Sequence, residues 1–209
     1  MADHPAGVLP RAMLWQRTDL AGAEHVVLDD TRGLVARGVA VASSPLAYEC
    51  QYELETDERW ATRRFEAVVE GGGWRRSLRI ARARDGWRAT ASEHGDLDAA
   101  LRSAGRAGAL PPGSEDPDRL DAAVDVDLYA SPLTNTLPLR RLGLLTGGDE
   151  TIVAAWVLLP SLAVVASEQT YTVLEPGRVR YASGAFTAEL ELDTEGYVVR
   201  YPGLATRAS

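Results

Sequence analysis

The residues of this chain best suited to chemistry gather between Asp125 and Arg141, where Asp125-Val-Asp-Leu precedes Ser131-Pro-Leu-Thr-Asn-Thr-Leu-Pro-Leu-Arg-Arg. Asp125 and Asp127 flank a single residue, so on a strand their carboxylates share one face. Such a pair can hold a cation, move a proton, or form the polar edge of a sheet. Thr134, Asn135 and Thr136 carry hydroxyl and amide groups that hydrogen-bond sugars or main chain. Arg140 and Arg141 can meet an anionic group. Pro132 and Pro138 predict an extended, rigid, poorly helical run. Glu24, Asp125 and Asp127 with Arg140 also admit a catalytic reading, acid–base chemistry on a small amphipathic substrate, provided they converge.

Other chemistries lack their signatures. His4, His25 and His94 lie in segments without a Gly-x-Ser-x-Gly elbow, so no nucleophilic triad is expected and no catalytic residue is assigned. Apart from Asp125 and Asp127, which read as the polar edge of a strand, paired His, Cys or carboxylate ligands at metal spacing do not stand out, so no metal is expected, nor any other cofactor. Gly71-Gly-Gly73 sits between two strand-like runs rather than before a helix, which makes it a hairpin turn, not a phosphate loop. The single cysteine, Cys50, excludes an intramolecular disulfide and reads as a buried structural thiol.

Composition narrows the class of partner. A net charge of −8 over 209 residues argues against nucleic acid, which is bound through clustered cations; all 22 basic residues are arginine. With 45% hydrophobic residues the chain can build a substantial core. No apolar run reaches the ~18 residues of a membrane span. Met1 to Trp15 carries His4, Pro5, Pro10 and Arg11 where a secretory signal needs unbroken apolarity, so a cytoplasmic protein without a transmembrane segment is expected.

The elements that must position these groups are strands. Phe186, Ala188, Leu190 and Leu192 alternate with Thr187, Glu189, Glu191 and Asp193, and Gly196 turns this strand into Tyr197–Tyr201. Trp74–Arg84 and Trp87–Ala91 repeat the design around Asp85-Gly86, a strong turn signal. Trp60 to Gly72 aligns without gaps on Val165 to Gly177, and the Asp-Gly-Trp and Glu-Gly-Tyr turns follow at a similar offset. This suggests two β-meanders, 20–95 and 121–203, within one domain of 1–209. Residues 96–120 read as a flexible acidic linker, with a short helix over Leu97, Leu101 and Ala104. Ile152–Leu159 is apolar on both faces, which predicts a central strand or one facing an apolar cavity.

At this point Asp125-Val-Asp-Leu, Pro132-Leu-Thr-Asn-Thr-Leu-Pro-Leu-Arg-Arg-Leu, Gln169-Thr-Tyr-Thr and Asp193-Thr-Glu-Gly-Tyr-Val-Val-Arg-Tyr-Pro-Gly together resemble the bacterial "putative glycolipid-binding" family. Leu14-Trp15 and Gly22-Ala-Glu24 resemble its N-terminal pattern, and residues 105–119 look like an insertion. The resemblance implies a mostly β fold, a strongly curved antiparallel sheet or half-barrel with little helix, similar to lipoprotein carriers. It implies no catalytic residues.

The sequence therefore predicts non-catalytic binding of a glycolipid or other lipid-like small molecule in a sheet-lined cavity. The candidate ligand residues are Trp15, Glu24, Asp127, Thr134, Asn135, Thr136, Arg140, Trp156, Gln169 and Tyr171. Aromatic rings can stack on a sugar or line a pocket. The alternatives are the enzyme described above and a ligand-free scaffold that pairs through an exposed edge strand, for which a homodimer is the natural assembly.

Overall fold

Period-two alternation of apolar and polar residues runs through most of the chain, and a pleated strand turns such a pattern into one buried and one exposed face. In the computed structural model, which describes residues 10–84, 86–113 and 117–208, these segments become strands. The predicted turn residue Asp85, the acidic Glu115 and Asp116, and His4 and Pro5 lie outside the described residues. The first meander comprises β1 (Arg11–Arg17), β2 (Gly22–Asp29), β3 (Val35–Ala42), β4 (Tyr48–Thr56), β5 (Thr62–Gly71), β6 (Trp74–Ala83) and β7 (Gly86–Gly95). Helix α1 (Leu97–Ser103), the short β8 (Asp125–Leu128) and helix α2 (Thr136–Arg141) follow. The second meander comprises β9 (Asp149–Val157), β10 (Val164–Glu175), β11 (Arg178–Ser183), β12 (Phe186–Leu192), β13 (Val198–Tyr201) and β14 (Ala205–Arg207).

Among the described residues, all fourteen strands form one open sheet, ordered β7-β6-β5-β4-β3-β2-β1-β14-β13-β12-β11-β10-β9-β8. The fold is the mostly β, strongly curved sheet expected from the sequence. Its two meanders join where β1 pairs antiparallel with β14. Only β8 and β9 run parallel, because a helical crossover separates them. The short edge β8 is pinned from the first meander. Thr62 on β5 donates its N–H to the Val124 carbonyl at 3.3 Å, and its hydroxyl accepts the Val126 N–H at 3.1 Å.

Strand alternation divides the interior in two. Val126, Leu128, Ala155, Val157 and Val164 face the larger core, with Trp15, Val26, Leu28, Tyr52, Phe65 and Leu78 of the first meander. Ile152, Tyr171, Val179, Tyr181, Ala188 and Leu190 face a smaller core closed by Leu139 and Leu144. Strand β9 lies second from an edge rather than centrally, and it follows the other alternative, with one face turned toward a cavity. Its dryness comes from cover on both faces, a core on one side and the smaller core and a cavity at Trp156 on the other.

One further segment departs from its sequence reading, and the short helix expected within residues 96–120 forms as α1. Pro132–Asn135 forms a 3-10 turn leading directly into α2, where an extended run was expected. Pro132 starts the turn and Pro138 falls in the first turn of α2, positions where a helix leaves its N–H groups unpaired in any case. Within residues 96–120, Asp96 caps α1 by accepting the Ala99 N–H at 2.7 Å, and Leu97, Leu101 and Leu120 are buried in the larger core. The aligned segments 60–72 and 165–177 lead into the β5–β6 and β10–β11 turns. The later matched turns join β6 to β7 and β12 to β13, with one more strand intervening in the second half.

Candidate functional site

The polar groups of β8 and of the turn after it are positioned by a sharp change of chain direction. Ala130 takes a left-handed conformation (φ 63°), which is costly for a residue with a Cβ and which turns the chain from β8 into the 3-10 turn. This leaves Ser131 beneath the first meander. Its hydroxyl donates to Glu24 Oε1 on β2 at 2.5 Å, and the same oxygen accepts the Tyr52 hydroxyl at 2.5 Å. Glu24 Oε2 is buried without a hydrogen-bond partner. Burial accordingly pushes the Glu24 carboxyl up to about 7, against the opposing hydrogen bonds from Ser131 and Tyr52.

Tyr52 reaches Glu24 by crossing β3 at Gly38, its cross-strand partner. A Cβ on Gly38 would lie 2.2 Å from Tyr52 Cζ, so only glycine admits the ring. Gly38→Ala is expected to displace Tyr52 and destabilise the fold by about 1–3 kcal/mol. Urea unfolding measures this, and a loss below about 0.5 kcal/mol would mean that the ring moves aside freely.

On the other side of the same turn, Asp127 sits half-buried with neutral partners. Thr134 donates its hydroxyl to Oδ1 at 2.9 Å and Gln169 donates Nε2–H to Oδ2 at 2.7 Å. The network continues inward: the Tyr171 hydroxyl donates to Gln169 Oε1 at 3.2 Å and accepts from Asn135 Nδ2 at 3.1 Å. Desolvation raises the Asp127 carboxyl to about 6, the two hydrogen bonds opposing it and the nearby Asp125 charge adding to it. Asp125 points along the same face of β8, but both its oxygens are engaged by Arg141, with Nη2 to Oδ2 at 2.7 Å. Burial still outweighs the guanidinium and raises its carboxyl.

Asp127, Ser131 and Asn135 open on a cavity of about 500 Å³ between the 3-10 turn and strands β9, β11, β12 and β13. Much of the rest of its lining is aromatic. Tyr181, Phe186 and Tyr201 form a mutual cluster with ring centres 6.1 to 6.3 Å apart, and Trp156 stands 6.1 Å from Tyr129. Phe186 is half exposed and lines the cavity. A larger, more open hollow of about 790 Å³ lies on the outer face of β2–β7. Its wall is a ladder of surface charges, including Arg79 and Glu66 at 3.2 Å, rather than a built polar site.

The ten sequence candidates thus separate. Asp127, Asn135 and Trp156 line the cavity; Thr134, Gln169 and Tyr171 brace its wall, and Glu24 lies behind Ser131. Trp15 is a core residue, donating Nε1–H to the Val198 carbonyl at 2.7 Å. Thr136 bonds the Gly196 carbonyl at 3.2 Å. Arg140 belongs to another cluster, 3.5 Å from Asp30 and stacked 4.6 Å from the Trp60 ring centre. Glu24, Asp125 and Asp127 each have separate partners and do not converge with Arg140. Sequence reasoning passed over Ser131, Tyr129, Phe186 and Tyr201 as site residues; for Phe186 the apolar strand face was the available signal. Cys50 is fully buried and its thiol is pushed up by desolvation. Among the described residues no group of three or more His, Cys, Asp or Glu is arranged to hold a metal, and no helix is long and apolar enough to cross a membrane.

Comparison with known proteins agrees with this architecture. A crystal structure of a DUF1089 family protein from Pseudomonas aeruginosa superposes with a TM-score of 0.67 at 26% sequence identity, covering 100% of this chain and 99% of that one. No curated protein matches the chain. The family model described as "Putative glycolipid-binding" matches residues 12–207, nearly the whole sequence, and the chain belongs to that family.

Proposed function

We propose that this protein binds a glycolipid or other lipid-like amphipathic molecule in the cavity between the 3-10 turn and the second meander, without acting on it chemically. The observation that carries the reading is the mixed aromatic and polar lining of the cavity. Tyr181, Phe186 and Tyr201 of β11–β13 offer apolar surface, Trp156 adds to it beside Asp127, its partner across β8 and β9, and Asp127, Asn135 and Ser131 offer hydrogen-bonding groups. Such a wall suits a molecule with a greasy end and a polar end. The volume falls within the ~300–1,000 Å³ of small-molecule sites. The polar groups are braced by Thr134, Gln169 and Tyr171, so they are oriented before a ligand arrives, which lowers the entropic cost of binding. The family's description points to the same class of ligand.

Native mass spectrometry of the protein purified from its own host, with thermal shift against lipids extracted from that host, tests the proposal. A bound amphiphile and a rising melting temperature are expected, because a ligand that binds only the folded state stabilises it. Phe186→Ala should lower affinity about tenfold while leaving stability almost unchanged, since the ring is half exposed. An unliganded mass together with extracts that never raise the melting temperature would remove the proposal.

A further inference from the structure

The charges around the cavity restrict the ligand further. Its lining contains two formally charged side chains, Asp19 and Asp127, and no arginine or histidine. Asp19 is neutralised by Arg17, whose Nε and Nη2 donate to its two oxygens at 2.7 and 2.5 Å. Asp127 has no such partner. Among the described residues its hydrogen bonds come from Thr134 and Gln169, both neutral, and the Arg141 guanidinium is spent on Asp125. Each Asp127 oxygen accepts one of these bonds and retains a second lone pair. A half-buried carboxylate without a countercharge is poorly stabilised, and a cation arriving in the cavity would relieve it. Tyr181, Phe186 and Tyr201 line the same cavity as a cluster of rings, and aromatic π-systems can attract a positive charge as well as apolar groups.

From these observations we infer that the polar end of the ligand carries a positively charged nitrogen, held between the Asp127 carboxylate and the aromatic cluster. This inference rests on the binding function proposed above and specifies its headgroup. Primary ammonium and quaternary ammonium groups share the required charge. A primary ammonium would also donate hydrogen bonds to the free lone pairs of Asp127, whereas a quaternary one would gain only from the charge and the rings. An anionic headgroup would meet an unpaired carboxylate and no cation, and should be rejected.

Dodecylamine, dodecyltrimethylammonium, dodecyl glucoside and dodecyl sulfate, each below its micellar concentration, share one chain and differ in headgroup. Titration calorimetry with the full chain should show one saturable site that binds dodecylamine at least about tenfold more tightly than the glucoside, with the sulfate weakest. The quaternary compound should lie between amine and glucoside; equality with the amine would assign the preference to the rings alone and overturn the role given to Asp127 as hydrogen-bond acceptor. Asp127→Asn should bring the amine and glucoside affinities together. If the glucoside or the sulfate binds as well as the amine, the inference fails while the binding function stands. If no amphiphile binds, both fail. A cation preference that Asp127→Asn leaves intact is bulk attraction to a chain of net charge −8 and also overturns the inference. Should that variant not fold, the order of affinities in the unsubstituted protein decides.

Discussion

Arg141→Met is expected to destabilise the protein by about 3–5 kcal/mol, the cost of stranding a buried carboxylate. The Arg141 guanidinium makes three contacts of 2.7 to 3.2 Å with the two Asp125 oxygens, and the Asp125 side chain is only 2% exposed. Methionine fills much of the same space but returns no charge. The loss should depend on pH in a definite sense. Burial already raises the Asp125 carboxyl, so its charged form is the disfavoured one in the folded state. Removing Arg141 raises it further, and the variant should therefore be closest to the parent in acid, where Asp125 is protonated in both, and furthest from it in base. Urea titrations at pH 5 and pH 8 measure the difference. Asp125→Leu combined with Arg141→Met should recover most of the loss, since replacing both partners of a buried pair with apolar residues is often near neutral. A single-variant loss below about 1 kcal/mol, or one that does not grow with pH, would show that water reaches Asp125.

The second large effect lies at Glu24. Its carboxyl is raised from an ordinary 4.5 to about 7, principally by burial, while Oε2 has no partner. A group raised in the folded state contributes its full stability below 4.5 and loses it as the pH climbs through 7, because the unfolded chain gives up the proton first. The difference of the two values corresponds to about 3 kcal/mol. Glu24→Gln keeps an oxygen to accept from Tyr52 and Ser131 but has no charge to bury. Relative to the parent it should be nearly isostable at pH 4 and more stable by about 3 kcal/mol at pH 8, a rise of about 6–12 °C in Tm for a chain of this size. Differential scanning calorimetry of the two proteins across that range is the measurement. Taking the difference between them cancels the carboxylates that act in the opposite sense, such as Asp19 and Asp193, which arginine partners hold below their usual range. A stability gap independent of pH would mean that Glu24 remains ionised throughout.

Much of the β architecture was legible from alternation alone. The Asp125–Leu128 strand, the Gly71–Gly73 turn and the Phe186–Leu192 strand stand where their patterns place them, because the period of a strand and the φ freedom of glycine are local properties. Local rules also misjudged Pro132–Arg141, where two prolines suggested an extended chain although both occupy positions a helical turn tolerates. Asp127, Thr134, Asn135, Gln169 and Tyr171 could be singled out by residue type, yet nothing local shows that Thr134 and Gln169 embrace one carboxylate from opposite sides. The same limit applies to Arg140 and Arg141, adjacent in sequence and alike in chemistry. One stacks on Trp60 beside Asp30, and the other neutralises Asp125.

What the amino-acid sequence determined by itself was a mostly β chain, its turns, its polar segment and its family, all of which depend on periodicity or on contiguous motifs. Only the tertiary structure decided which polar side chains meet. The left-handed turn at Ala130 sends Ser131 to Glu24, and the curl of the sheet sets Trp156, Tyr181, Phe186 and Tyr201 around Asp127 and Asn135. Those encounters join residues far apart along the chain, and they arise because one curved sheet buries apolar residues in two separate cores.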